Sequence, residues 1–380
     1  MNPTVFTHAR VVLGTEVLPE ASVAVAEGRI IDISHGRSQV PGAIDLHGDW
    51  LLPGLVEVHT DNLERHVMPR PKTTFPMRAA VQAHDAEIAA AGITTVLDAI
   101  GVGDPYGDGF RSRDQSALLQ VLDALEQAQV LRSQHLIHVR CELPAANAQA
   151  LFAPFAGHAR LALISLMDHT PGQRQWTDIE QARTYYTGKK GWSDAQFDDE
   201  VRIAPQRQAE HAEPNRRWFA DFARSHGVAL ATHDDTTLAH VDEAHGLGAT
   251  MSEFPTTMAA ARHARAHGLS TIAGAPNVVR GGSHSGNVAA IDLARQGVLS
   301  GLSSDYVPGS LLQAAWVLHR DGGFSLPEAV RVVSRGPAQA AGLHDRGEIA
   351  PGLRADFVCV REVDAHPVVR EVFVGGRRVA

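Results

Sequence analysis

Residues 55–61 read LVEVHTD, a short apolar-rich run that follows Pro53 and Gly54 and ends in polar side chains. Val and Leu in so short a run, closed by turn residues on one side and polar groups on the other, suit a strand buried in a parallel sheet. Along that strand His59 and Asp61 are two apart and therefore project to one side.

Outward from this segment, the order of apolar strand, loop and amphipathic helix repeats. Strands are expected at 55–61, 94–100, 136–142, 161–169, 228–233, 250–254, 271–276 and 299–305. Ser112 with Gln115 offers a capping box ahead of an apolar stripe of Leu118, Leu122 and Leu125. Gly92, Gly268 and Gly297 stand where helices end, and Pro327 suits a first helical turn. Eight strands alternating with helices predict an α/β fold, a (β/α)8 TIM-like barrel.

Residues 1–52 and 345–380 alternate short β-type runs with Gly and Pro turns, and predict a small β-sandwich domain built from both chain termini. The barrel then occupies 53–344. One connection, 170–227, is far longer than a βα loop needs and is expected to be an insertion, either a lid or a subunit contact in a homo-oligomer.

The 380 residues are 44% apolar, enough for a sizeable core. A formal net charge of −9 argues against a general nucleic-acid coat, and no apolar run approaches the length of a membrane span. With two cysteines and no secretory pattern, a cytoplasmic protein is expected. The 21 histidines make metal ligation worth testing.

In a barrel of this kind the site forms at the C-terminal ends of the strands. His59 and Asp61 close the first strand, His138, Arg140 and Glu142 share one face of the third, and His169, His233 and Asp305 follow at later strand ends. His59, Asp61, Glu142, His169, His233 and Asp305 form a nitrogen and oxygen donor set without thiolate, suited to zinc, manganese or iron(II). Glu142 is the natural bridging carboxylate. Two divalent ions would lower the pKa of water from about 16 toward 7, with Asp305 taking the proton.

Basic segments suggest an extended anionic substrate. Asn62, Arg65, His66, Arg70 and Lys72 follow the first strand, and Arg140 lies on the third. Arg280, Ser283, His284 and Ser285 sit in a Gly-rich loop expected to open a helix at Asn287, and Lys189 and Lys190 lie on the long connection.

The termini, the PGLVEVH entry, GPAQAAGL and GEIAPGLRADFVCV resemble the amidohydrolase superfamily. Within it, HTDNLERHVMPRPK, HVRCE, MDHTPGQRQ, SEFPTT, GAPNVVRGGSHSGN and SSDYVPGSLL are similar to its phosphonate-metabolism hydrolases, over essentially the whole chain. That resemblance implies hydrolysis of α-D-ribose 1-methylphosphonate 5-triphosphate to the 5-phosphate and pyrophosphate, in the carbon-phosphorus lyase pathway. A ribosyl triphosphate is the kind of small-molecule polyanion the basic segments ask for.

Two departures from the wider superfamily stand out. His59-Thr60-Asp61 replaces the usual His-x-His, and His169 and His233 fall on the fourth and fifth strands rather than the fifth and sixth, leaving Glu253 to close the sixth. The alternatives are an amidohydrolase that cleaves a cyclic amide or deaminates a base, and a non-catalytic scaffold.

Overall fold

A computed structural model describes residues 3–70, 73–104, 115–283 and 286–380, without the side chains of 189 and 190. The chain enters through β1 (Thr4–Val12), β2 (Val17–Ala26), β3 (Arg29–His35), β4 (Ile44–Asp45) and β5 (Trp50–Pro53), and leaves through β14 (Phe357–Val363), β15 (His366–Val374) and β16 (Arg377–Arg378). These strands form one mixed sheet, ordered β16-β15-β14-β5-β1-β2-β3 with β4 paired to β1. Phe6, Phe357 and Phe373 meet edge-on within its own apolar core.

Between the two ends lie β6 (Leu55–Thr60), β7 (Ile93–Val102), β8 (Gln134–Glu142), β9 (Leu161–Met167), β10 (Ala229–His233), β11 (Met251–Glu253), β12 (Ser270–Gly274) and β13 (Gly301–Ser303). Each pairs in parallel with the next, in chain order. All ten residues of β7 are buried, as expected of a strand covered on both faces.

The sheet nearly closes where β13 returns to β6. Thr60 and Asp305 form a parallel bridge, and the Asp305 carbonyl accepts from Thr60 Oγ1 at 2.7 Å and from the Asp61 N–H at 3.2 Å. Glu57, fully buried, clamps the same seam by accepting the main-chain N–H of His59 at 2.7 Å and of Ser304 at 2.6 Å. Burial, opposed by these hydrogen bonds, pushes its carboxyl up to about 7.

Gly92, Gly268 and Gly297 all have positive φ just past a helix end, and Pro327 sits in a first turn beside the Ser325–Glu328 capping box. Ser112 lies outside the described residues; the helix Ser116–Gln127 starts with Gln115 in the cap position and no side-chain cap hydrogen bond. The Gly-rich loop after β12 departs from expectation. Ala275–Arg280 is itself a short helix, and the next helix opens at Ala290 rather than Asn287, its first N–H taken by the Asn277 side chain at 3.0 Å.

The long connection folds into helices Ile179–Lys190 and Asp194–His226, the second begun by a Ser193–Gln196 capping box and running through Pro205 and Pro214. Trp176, Ala182, Tyr186 and Phe197 give it a small core of its own. No helix among the described residues is long and apolar enough to cross a membrane.

On β8 the alternation of faces separates two polar systems. Ile137, Val139 and Cys141 turn outward to the helix layer, and His135 shares their face. There His135 Nδ1 lies 2.8 Å from Asp98 Oδ2 and its Nε2 3.3 Å from Asp85 Oδ1, so both nitrogens face carboxylates. His84 Nε2 meets the other Asp98 oxygen at 2.7 Å.

Burial would lower His135, but the Asp98 charge and hydrogen bonds to Asp85 and Asp98 lift it to about 9. Asp98, which burial would raise, is held well below the carboxylate range by the two histidines. Removing one partner of such a buried pair strands a charge.

Asp98→Asn is therefore expected to cost about 3–5 kcal/mol in denaturant unfolding. His135 binds its proton more tightly folded than unfolded, so its stabilisation is complete below its ordinary value near 6.5 and fades as pH rises through about 9. The wild-type stability margin over His135→Gln should shrink by about 3 kcal/mol across that window; a margin independent of pH would contradict the charged imidazole.

Candidate metal centre

The parallel register sets His233 beside Glu253, which places the ends of β10 and β11 level on the same face. Glu253 is completely buried and forms the hub of the mouth. Its Oε1 lies 3.1 Å from His59 Nδ1, and its Oε2 lies 3.5 Å from His233 Nδ1 and 3.8 Å from His138 Nε2. Phe254 packs edge-on against both His59 and His233 and supplies an apolar wall.

A second group adjoins the first through His233. The rings of His169 and His233 are 5.9 Å apart, and His233 Nε2 is 3.4 Å from Asp234 Oδ2. His169 Nδ1 meets Glu142 Oε2 at 2.6 Å, and its main-chain N–H donates to the other Glu142 oxygen at 3.0 Å. His59, His138 and Glu253 thus make one compact donor group, and His169, His233 and Asp234 another.

Burial lowers the pKa of His233 and takes His138 down to about 3, which keeps both imidazoles neutral, as a metal ligand must be. Burial also raises Asp234 to about 7. His233 Nδ1 and Glu253 Oε2 are buried with no hydrogen-bond partner among the described residues. Two orphaned donor atoms in an all-nitrogen-and-oxygen set fit divalent cations.

The strand ends are held in place from behind. Arg174, buried, donates to the His233 carbonyl at 3.1 Å and to Asp235 Oδ1 at 2.7 Å. Asp235 Oδ2 in turn accepts from Thr232 and Ser252, the residues just before His233 and Glu253. Asp234, Phe254 and Asp305 all have φ of 51–55°, a left-handed turn directly past the strands that carry the donors.

The six expected ligands divide by depth. His59 and His233 are deeply buried, Glu142 is buried beside His169, and Asp61 is 31% exposed, its Oδ2 4.0 Å from the Arg140 guanidinium. Asp305 stands at the seam beside Thr60. His169 follows the fourth barrel strand and His233 ends the fifth, as the strand order implied. The geometry adds Glu253, His138 and Asp234. Glu253 and His138 were visible as polar closures of apolar runs; Asp234, in a run of two aspartates, gave no signal of its own.

The basic segments scatter more. Asn62 Nδ2, Arg65 Nη2 and His66 Nε2 converge on Glu87, at 2.9, 3.1 and 2.7 Å, and not on the histidine cluster. Arg140 is buried in the mouth, with its Nε 3.3 Å from Met167 Sδ. Arg70 and Arg280 are exposed on segments that leave β6 and β12, and Ser283 is half-buried. Lys72, His284, Ser285 and the side chains of Lys189 and Lys190 lie outside the described residues.

Over 377 residues, 99% of this chain and 100% of the relative, the sequence is 44% identical to the alpha-D-ribose 1-methylphosphonate 5-triphosphate diphosphatase of Escherichia coli (strain K12). The fold matches N-isopropylammelide isopropylaminohydrolase from Burkholderia multivorans ATCC 17616 with a TM-score of 0.64 and 18% identity, covering 100% of this chain and 98% of that one. It matches molinate hydrolase at 0.68 and 14%, covering 100% and 94%. With the Amidohydrolase family's sequence model fitting residues 50–379, across both the barrel and the returning strands, the chain belongs to the amidohydrolase family.

Proposed function

We propose that the chain hydrolyses α-D-ribose 1-methylphosphonate 5-triphosphate to the 5-phosphate and pyrophosphate, in phosphonate breakdown by the carbon-phosphorus lyase pathway. The observation that carries this reading is the 44% identity over 99% of the chain to a diphosphatase of that substrate. A partly buried, carboxylate-rich mouth with one guanidinium supports it.

His59, Asp61, Glu142, His169, His233 and Asp305 would hold two divalent cations, together with Glu253, and His138 or Asp234 would complete the set. Cations bound there supply Lewis-acid activation of water and neutralise charge on the polyphosphate. Asp305, set by its left-handed backbone at the seam, accepts the proton of the attacking water. Arg140, fixed between Met167 and Asp61, offers positive charge to the departing pyrophosphate.

Arg70 and Arg280 would meet the phosphate tail at the rim, and the sequence offers Lys72, Lys189, Lys190, Ser283, His284 and Ser285 as further contacts. Arg65 and His66 would join by exchanging Glu87 for phosphate. Asn62, buried between His84 and Glu87, serves to hold its helix.

Asp305→Asn is expected to lower pyrophosphate release by about 10²–10⁴-fold with an unchanged circular dichroism spectrum. Release at the wild-type rate would reject Asp305 as the base. Glu253→Gln should weaken metal binding about 10- to 100-fold, read by equilibrium dialysis. Dialysis against a chelator should abolish turnover and manganese, zinc or iron(II) restore it; full activity in metal-free protein would end the metal reading.

A further inference from the structure

On the outer helix layer a separate set of donors faces a single point. His263 lies on the helix Met258–Ala266 and His267 at its C-cap, four residues on, so the two rings share a face. Asp242 reaches them from the preceding helix, Leu238–Leu247. Asp242 Oδ1 is 2.6 Å from His263 Nε2 and 3.3 Å from His267 Nε2, and the two Nε2 atoms are themselves 3.3 Å apart.

With both Nε2 atoms protonated the two rings donate to the one Asp242 oxygen; with both deprotonated, two lone pairs and a carboxylate oxygen turn to one point, which is what a cation gathers. A tetrahedral zinc ion with bonds of about 2.0–2.1 Å separates neighbouring ligand atoms by about 3.3 Å. Two of the three observed edges have that length.

The surroundings do not compete for the carboxylate. Arg262 turns to Gln296 and Arg265 to the Leu269 carbonyl, while His245, three residues beyond Asp242, packs its ring 4.5 Å from that of His267. Asp242 is exposed and the two histidines half-exposed, so an ion can enter from solvent.

We propose that Asp242, His263 and His267 bind one divalent transition metal ion of the zinc class, with water or His245 in the remaining position. Helices of such a barrel run back from the strand C-termini, so the ion would lie toward the opposite face from the Glu253 cluster. It would clamp together the helices that follow β10 and β11, the strands that present His233 and Glu253.

The test is zinc binding by equilibrium dialysis on the full chain, comparing wild type with His263→Ala/His267→Ala and, separately, with Asp242→Asn. The double variant should bind one zinc ion fewer per chain, and Asp242→Asn should weaken that one ion at least tenfold. Pyrophosphate release should stay at the wild-type level in both. Because Asp242→Asn preserves side-chain shape at an exposed position, it answers the question even if the double variant folds poorly. Wild-type zinc stoichiometry and affinity in the variants would overturn the proposal.

Discussion

A carboxylate with no access to water needs hydrogen-bond donors or positive charge close by, and Glu253 imposes that condition on the barrel mouth. Its neighbours are His59, His138 and His233, and burial strips protons from two of them. One of its oxygens lacks a hydrogen bond among the described residues. Two neutral imidazoles beside a buried carboxylate with an unsatisfied oxygen make a donor set that a cation completes. The parallel pairing of β10 with β11 and the near-closure of β13 onto β6 bring these groups from four strands to one centre.

That convergence is held by backbone and by a polar layer behind it. The left-handed turns at Asp234, Phe254 and Asp305 each cost about 1–3 kcal/mol in a residue other than glycine. They persist because Asp235 ties Arg174, Thr232 and Ser252 to the strand ends, and Glu57 ties β6 to the segment after β13. Strain and support occur at the same strand ends, which is where side chains must be aimed rather than merely buried.

The barrel was legible because parallel buried strands appear as bounded apolar runs, and polar residues closing several of those runs are the ones that meet in the mouth. Strand 299–305 was correct in place but long, since β13 covers Gly301–Ser303 and Asp305 makes only an isolated bridge to Thr60 with a left-handed backbone. The partners of Asn62, Arg65 and His66 were not legible: Glu87 lies more than twenty residues away on another helix. The helix start at Ala290 escaped because an asparagine thirteen residues earlier caps it. Asp98, His84 and His135 come from two strands and a helix, and no local pattern joins them.

Strand β8 shows how one short segment serves two electrostatic purposes. Its inward residues His138, Arg140 and Glu142 face a mouth where Glu253 meets His138, Glu142 meets His169 and Asp61 lies 4.0 Å from the Arg140 guanidinium, a carboxylate-rich setting that favours divalent cations. Its outward His135 carries positive charge and settles two buried aspartates under the helix layer. Exchanging these roles by a one-residue slip would strand carboxylates on both faces. Register in this strand is therefore fixed by charge as well as by apolar packing, and the mouth inherits its geometry from that constraint.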